Sequence, residues 1–298
     1  MSSALIAQQA PMFTHYMYNT LSINPAYAGS RDALSITALH RSQWVGFKGA
    51  PMTQTITMHS PIANKHIGLG LSLSNDKIGP VNNTAAFFSF AYKIILSENT
   101  KLSFGISGGV NVLQTHFSTL DLDQQNDPAF STNATNKALF NAGFGAYYSM
   151  KRSYIGVSIP NLIQNKYPIV TLANGNQSSG TEKQHYFLIA GTKIDVNKNV
   201  IFKPTALIKL TEAAPVQLDV TAAFIFNNNF SLGAMYRTGD AFGALVGLML
   251  SPQFTVGYAY DWSHNNRTFQ YNSGSHELMI RYDFVYTTNK QVHSPRYF

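Results

Sequence analysis

Cysteine is absent from the 298 residues, which excludes disulfide frameworks, Cys-ligated zinc and thiol catalysis. Charge is scarce as well. Asp, Glu, Lys and Arg make up 12% of the chain, about half the roughly 25% of an ordinary soluble domain. Few Glu and Lys means few strong helix formers, so a helical bundle is excluded. The net charge is +7, yet no Lys/Arg-rich stretch exists to lie along a phosphate backbone, and nucleic acid is not a partner. A run able to span a membrane as a helix is also missing. The best candidate, Ala241 to Tyr260, is centred on Ser251-Pro252-Gln253 and reads as two strands joined by a tight turn. What the chain does have is aromatic residues, 13% in all, and these exclude disorder.

The dominant pattern has a period of two. Ile67, Leu69, Leu71 and Leu73 are interleaved with Gly68, Gly70, Ser72 and Ser74; Phe88, Phe90, Tyr92 and Ile94 with Ser89, Ala91 and Lys93. The same alternation recurs around Phe144, Val157, Leu188, Phe202, Leu218, Leu232, Leu248, Val256 and Ile280. It predicts about fourteen strands of roughly nine to fourteen residues. Soluble strands average about 5–6 residues, whereas tilted membrane-spanning ones need about 9–11. Charge placement agrees with a membrane wall. Lys93, Lys203, Lys209, Asp219, Arg237, Asp261, Glu277, Arg281 and Asp283 all fall on the small or polar parity, and a Lys or Arg facing mid-membrane lipid costs about 2–4 kcal/mol. Odd-numbered links include four long ones (Ser42 to Pro51, Thr115 to Lys137, Pro160 to Lys183, Ser263 to Gly274), and the even-numbered links are brief. Outer-membrane barrels have this asymmetry, with the short turns periplasmic.

The expected architecture is therefore all-β: a transmembrane antiparallel β-barrel of about fourteen strands, closed because lipid cannot satisfy an open edge, with both termini periplasmic. The expected division is 1–7 as a signal-peptide remnant or cloning scar, 8–32 as an N-terminal periplasmic plug or strap, 33–287 as the barrel and 288–298 as a periplasmic tail. Pro25 fixes φ and disfavours helix at Asn24, and Gly29 permits a tight turn before the first strand.

Motifs that suggest chemistry have weak contexts. Gly105-Ile106-Ser107-Gly108-Gly109 matches a hydrolase nucleophile elbow, but it sits mid-strand and lacks the strand-turn-helix setting that exposes the serine. Asp121, Asp123 and Asp127 have calcium-loop spacing, without the glycine at position six or the glutamate at position twelve of an EF-hand; a solvated loop is the plainer reading. His40 and His59 are placed to face one another across the first hairpin, but no metal-ligand cluster is built around them. The expectation is no enzyme, no cofactor and no bound metal. The lumen charges alternate in sign, which points to internal pairing rather than a selectivity ring. Phe87, Ile95, Leu113 and Met249 on the inward parity predict a partly filled lumen.

One stretch is more distinctive than its chemistry explains. Gln9, Phe13, Tyr16-Met17 and Asn19, then Asn24-Pro25-Ala26-Tyr27-Ala28-Gly29-Ser30, resemble the opening of the PorP/SprF family. Arg41-Ser42-Gln43-Trp44, Gly46-Phe47, Gly49-Ala50-Pro51 and Thr53 resemble its next block, and Ile67 to Gly70, Gly79-Pro80, Tyr154 to Ser158 and Asn161-Leu162 continue the agreement. Thr20 departs from an expected Pro, and a full signal peptide is missing. The resemblance implies an outer-membrane barrel of the type IX secretion and gliding machinery that supports export or cell-surface attachment of a large adhesin by binding its C-terminal region. Implied partners are that adhesin, periplasmic or lipoprotein components of the machine, and outer-membrane lipid and lipopolysaccharide. A substrate-selective channel is the alternative. The loops expected to bind a partner carry Thr115, Phe117, Asp121, Asp123, Asp127, Phe130, Asn161, Tyr167 and Gln184. The residues expected to form the plug and its support are Tyr16, Asn19, Asn24, Pro25, Tyr27, Gly29, Arg41, Trp44 and Phe47.

Overall fold

The computed structural model describes residues 12–62, 65–115, 134–166, 170–171, 177–178, 181–212, 214–263 and 272–285. Fourteen antiparallel strands close into a barrel. They are β1 (Leu34–Ser42), β2 (Met52–Ile62), β3 (Ile67–Ile78), β4 (Val81–Ser97), β5 (Thr100–Thr115), β6 (Ala134–Ser149) and β7 (Ser153–Ile159). Then follow β8 (His185–Thr192, continued as Ile194–Asn197), β9 (Val200–Thr211), β10 (Gln217–Phe226), β11 (Phe230–Arg237), β12 (Ala241–Met249), β13 (Phe254–Ser263) and β14 (Ser275–Phe284). Each strand pairs with its sequence neighbours. Closure is made by β1 against β14, from Leu34↔Phe284 to Ser42↔His276. Closure removes the free sheet edge, which in lipid has no water to bond its backbone groups.

The alternation sorts side chains as the period of two requires. Phe88, Phe90, Tyr92, Ile106, Val157, Leu232, Phe242, Leu248 and Ile280 face outward and are exposed, an apolar area that water would not tolerate but lipid demands. Aromatic pairs mark both rims of this band: Tyr236 with Phe242 and Tyr260 with Trp262 at one end, Phe202 with Phe224 and Tyr282 with Phe284 at the other. The nine charged residues assigned to the inward parity are all buried inside the barrel.

Strands β4, β5 and β6 are longer than the sequence pattern indicated, at 17, 16 and 16 residues, while β7 has only 7. The extra length carries polar outward residues that bond to one another: the Asn75 amide donates to Asn82 Oδ1 and Thr84 Oγ1, both at 2.9 Å. Such a polar ladder belongs above the lipid band rather than within it. Links at one end of the barrel are short throughout, at 63–66, 98–99, 150–152, 198–199, 227–229 and 250–253. The four long links, 43–51, 116–133, 160–184 and 264–274, share the other end. Residues 12–33 enter β1, and β14 ends, at the short-turn end.

The two histidines assigned to the first hairpin do not meet. The register sets Ser35 against His59 and His40 against Gln54. Because the link 43–51 is long, the pairing offset differs from that of a symmetric hairpin, and strand parity then puts the two rings on opposite faces. His59 is buried inside, and His40 bonds Ser42 Oγ on the outer face.

Candidate functional site

The main apolar core of this barrel lies inside it. Tyr16, Met17, Leu21, Ala26, Tyr27 and Ala28 pack against Ala91, Tyr147, Tyr154, Phe187, Ile189, Leu207, Met235, Leu245 and Ala259 from the wall. The N-terminal segment is thus the filling of the lumen. It has no strand or helix period, only two 3-10 turns, Thr20–Ser22 and Pro25–Tyr27. Its own turns satisfy part of the backbone, as in Tyr18 N to His15 O, Asn24 N to Thr20 O and Tyr27 N to Asn24 O, and wall side chains take up other groups.

At the long-loop end the segment is fixed by charge. Glu277 on β14 is buried and accepts four hydrogen bonds: from Thr14 N at 2.8 Å, His15 N at 2.7 Å, His15 Nδ1 at 2.8 Å and Arg41 Nη1 at 3.0 Å. Arg41 on β1 also bridges to Asp261 on β13 at 2.7 Å, and Thr14 Oγ1 donates to the same carboxylate at 2.7 Å. Beside them Arg237 pairs with Asp219 at 2.8 Å and donates to Phe13 O at 3.4 Å. In the low-dielectric lumen such charges are tolerable only when paired and hydrogen-bonded.

Midway, polar side chains take over. Tyr16 and Thr205 share a hydrogen bond at 2.9 Å. Asn19 donates to Thr55 Oγ1 at 3.1 Å and accepts from Thr57 Oγ1 at 2.8 Å. Tyr18 lies between two cations, with Lys203 Nζ 4.9 Å and the Arg281 guanidinium 5.0 Å from its ring centre, and Arg281 also donates to Tyr18 O. At the short-turn end Arg31 makes a bidentate pair with Asp283, at 3.1 and 2.6 Å. Lys93 donates to Gly29 O at 2.5 Å, and Gly29 N donates to His59 Nδ1 at 3.1 Å.

The Asn24–Gly29 stretch sits on a bed of inward glycines. A Cβ on Gly68 would lie 2.0 Å from Ala28 O, one on Gly105 2.3 Å from Ala26 N, and one on Gly145 2.1 Å from Asn24 Oδ1. Asn24 is wedged there: its amide donates to Ala146 O at 3.1 Å and Val157 O at 3.2 Å, and its Oδ1 accepts from Ala26 N at 2.9 Å. Asn24→Ala removes all three bonds from a buried site and is expected to lower stability by about 2 kcal/mol. The check is the urea midpoint at which the folded barrel loses its compact mobility on cold gels. An unchanged midpoint would mean that those carbonyls find other donors.

Read from sequence, this segment is expected in or across one mouth. In the structure its described part runs along the lumen, because its charged partners, Glu277 and Asp283, stand at opposite ends of β14. Of the residues assigned to the plug and its support, Tyr16, Asn19, Asn24, Pro25, Tyr27, Gly29 and Arg41 converge inside the barrel, and all are buried. Trp44 and Phe47 lie instead in the link 43–51, where Phe47 is exposed. Sequence reasoning missed His15, Thr14 and Arg31, whose partners lie about 250 positions away and leave no local signal. Ser107 sits in unbroken β5, so the elbow geometry is absent.

Above residues Leu21 to Pro25 the lumen keeps a vestibule of about 200 Å³ that reaches the long-loop end, lined by Asp76, Asn83, Phe87, Asn161, Glu182 and Phe187 among others. From the link 160–184, Pro160, Asn161 and Glu182 contribute to its lining. Glu182 accepts from the Asn141 and Asn165 amides at 3.1 and 3.0 Å; burial pushes its carboxyl above the usual range, while these bonds draw it back. Asn161 thus lines the vestibule, Gln184 donates to Leu162 O at 2.6 Å, and Thr115 is buried at the end of β5. Phe117, Asp121, Asp123, Asp127, Phe130 and Tyr167 lie outside the described residues, as does the 288–298 tail.

Among solved structures, the chain is similar to the outer membrane protein Omp33 of Acinetobacter baumannii, with 9% identity, TM-score 0.47, and 87% of this chain and 100% of that one covered. It is also similar to a Pseudomonas aeruginosa FadL homologue, with 12% identity, TM-score 0.49 and coverage of 89% and 94%. No curated protein matches by sequence. A profile of the family described as type IX secretion system membrane protein PorP/SprF matches residues 5–282. With that match and the closed, lipid-facing wall, the chain is an outer-membrane β-barrel and belongs to the PorP/SprF family of type IX secretion system membrane proteins.

Proposed function

We propose that this barrel works as a non-conducting anchor of the secretion machinery. It holds the C-terminal region of a large secreted adhesin at its long-loop face, in export, surface attachment or both. Periplasmic or lipoprotein components of the machine engage the short-turn face. The observation that supports this reading is the filled lumen: residues 12–31 occupy it and are tied to the wall by buried polar contacts at both ends, Thr14 and His15 to Glu277 and Arg31 to Asp283. A wide solute path needs an open, hydrated lumen. A barrel closed by its own chain has its loops and rims left for function, and loops on a rigid scaffold are suited to binding.

The test is extraction of the native protein in mild detergent, identification of co-purifying proteins by mass spectrometry, and recording in planar bilayers. A large adhesin fragment together with a silent bilayer is the expected result. A steady ion current and no protein partner would replace the anchor with a selective channel. Orientation is read in the same preparation, because the chain has no native cysteine. Phe47→Cys should react with an impermeant maleimide on intact cells, and Ser251→Cys, in a short turn, only after the outer membrane is opened. The reverse order would turn the barrel over.

A further inference from the structure

The vestibule has a chemical character different from the rest of the lumen. Elsewhere the buried cations Arg41, Arg237, Arg281 and Lys203 point inward. Among the described residues that line the vestibule there is no lysine or arginine, while two carboxylates are present, Asp76 and Glu182. Each is held from behind. Thr53 Oγ1 donates to Asp76 Oδ1 at 2.6 Å, and the two asparagine amides hold Glu182 Oε2. No further hydrogen bond reaches the Asp76 carboxylate among the described residues. The same lining carries aromatic side chains, Phe87 and Phe187, and hydroxyls and amides such as Ser72, Ser74 and Asn83. In a chain of net charge +7, an acidic recess of this kind is a local inversion.

We propose that the vestibule receives a short extended peptide bearing a lysine or arginine side chain, supplied by the secreted cargo. This rests on the anchor reading and gives it a partner chemistry. The aliphatic stem of such a side chain packs on Phe87 and Phe187 while its head meets the carboxylates. Ser72 and Ser74, on one strand face at a spacing of two residues, match the repeat of an extended backbone. The volume of about 200 Å³ is below the roughly 300–1,000 Å³ of clefts for drug-sized ligands and suits one long side chain with its adjoining backbone. Burial raises the Glu182 carboxyl, and a docked cation would offset that cost.

The test uses the full-length barrel in detergent and fluorescence anisotropy. The probes are labelled acetyl-GSKSG-amide and its counterparts with glutamate or norleucine in place of lysine. The lysine peptide should bind about tenfold tighter than either, and the double variant Asp76→Asn with Glu182→Gln should erase that preference. Both substitutions are nearly isosteric, and retained compact mobility on cold gels certifies the fold. Equal binding of all three peptides, or a preference that survives the double variant, overturns the proposal. Adhesin that still co-purifies with the double variant at wild-type yield also overturns it, while leaving the anchor intact. A barrel that prefers the lysine peptide but recovers no adhesin keeps the vestibule and removes the anchor.

Discussion

Gly105→Val is expected to unseat the internal segment and make a silent barrel conduct. The side chain at this position points inward from the middle of β5, against the segment's main chain. A Cβ there would stand 2.3 Å from Ala26 N, 2.4 Å from Pro25 C and 2.5 Å from Ala26 Cα. These are backbone atoms in a turn bounded by Pro25, so no rotamer change relieves the clash. Overpacking in a tight core costs about 1–3 kcal/mol and sometimes more. Lifting Asn24–Gly29 off the wall also breaks the Asn24, Lys93 and His59 bonds, at about 1 kcal/mol each for the neutral ones. The wall is a closed ring of strand pairs that does not depend on the segment and can survive this loss. Strands should therefore persist while steady current appears in planar bilayers. Gly108 supplies the matched control. It lies three residues along the same strand on the opposite face, with nothing within 4 Å of its Cβ position. Gly108→Val should remain silent and stable within about 0.5 kcal/mol. If Gly105→Val stays as closed and stable as wild type, the segment is not seated on that strand.

The outer wall was readable because its rules are local. A period of two is visible in any window of eight residues, and the lipid face admits no charge, so Lys93 and Arg281 had to share a parity with glycines and serines. Link lengths needed only counting. The interior was harder. Inward glycines such as Gly68 and Gly105 could be read as making room, but sequence does not say for what. The occupant, Asn24 to Gly29, has no period of its own and is shaped by strands up to about 130 positions away. The pairing of charges is a matter of register around a closed ring. Arg41 and Asp261 meet only because β1 and β13 flank β14, a neighbourhood that arises at closure. Phe87 and Leu113 face inward as their parity indicates, but they contribute less to filling the lumen than Tyr16, Met17 and Tyr27, which parity could not place. The vestibule draws its lining from β2 to β6, from β8 and the link before it, and from the segment, so no single stretch could announce it.

Arg41→Met should be the most damaging single change in the ion network, by about 3–5 kcal/mol. Its guanidinium is shared by two carboxylates, Asp261 at 2.7 Å and Glu277 at 3.0 Å, and all three groups are almost wholly buried. Methionine fills much of the volume, so what is lost is chiefly charge compensation and hydrogen bonds rather than packing. The carboxylates are not equally stranded. Glu277 keeps three donors from Thr14 and His15, two of them backbone amides, whereas Asp261 keeps the Thr14 hydroxyl alone at that oxygen among the described residues. Adding Asp261→Asn to Arg41→Met should therefore recover about half of the loss, since a neutral amide removes the worse of two uncompensated charges. Adding Glu277→Gln instead should recover less and loosen the segment, because the amide has one acceptor oxygen for donors now shared between two, and its NH2 would face either Thr14 N or the His15 donors. Urea midpoints of the three variants, compared on one gel system, decide the order. An Arg41→Met barrel as stable as wild type would mean that water reaches these carboxylates, and that the lumen at this level is not sealed.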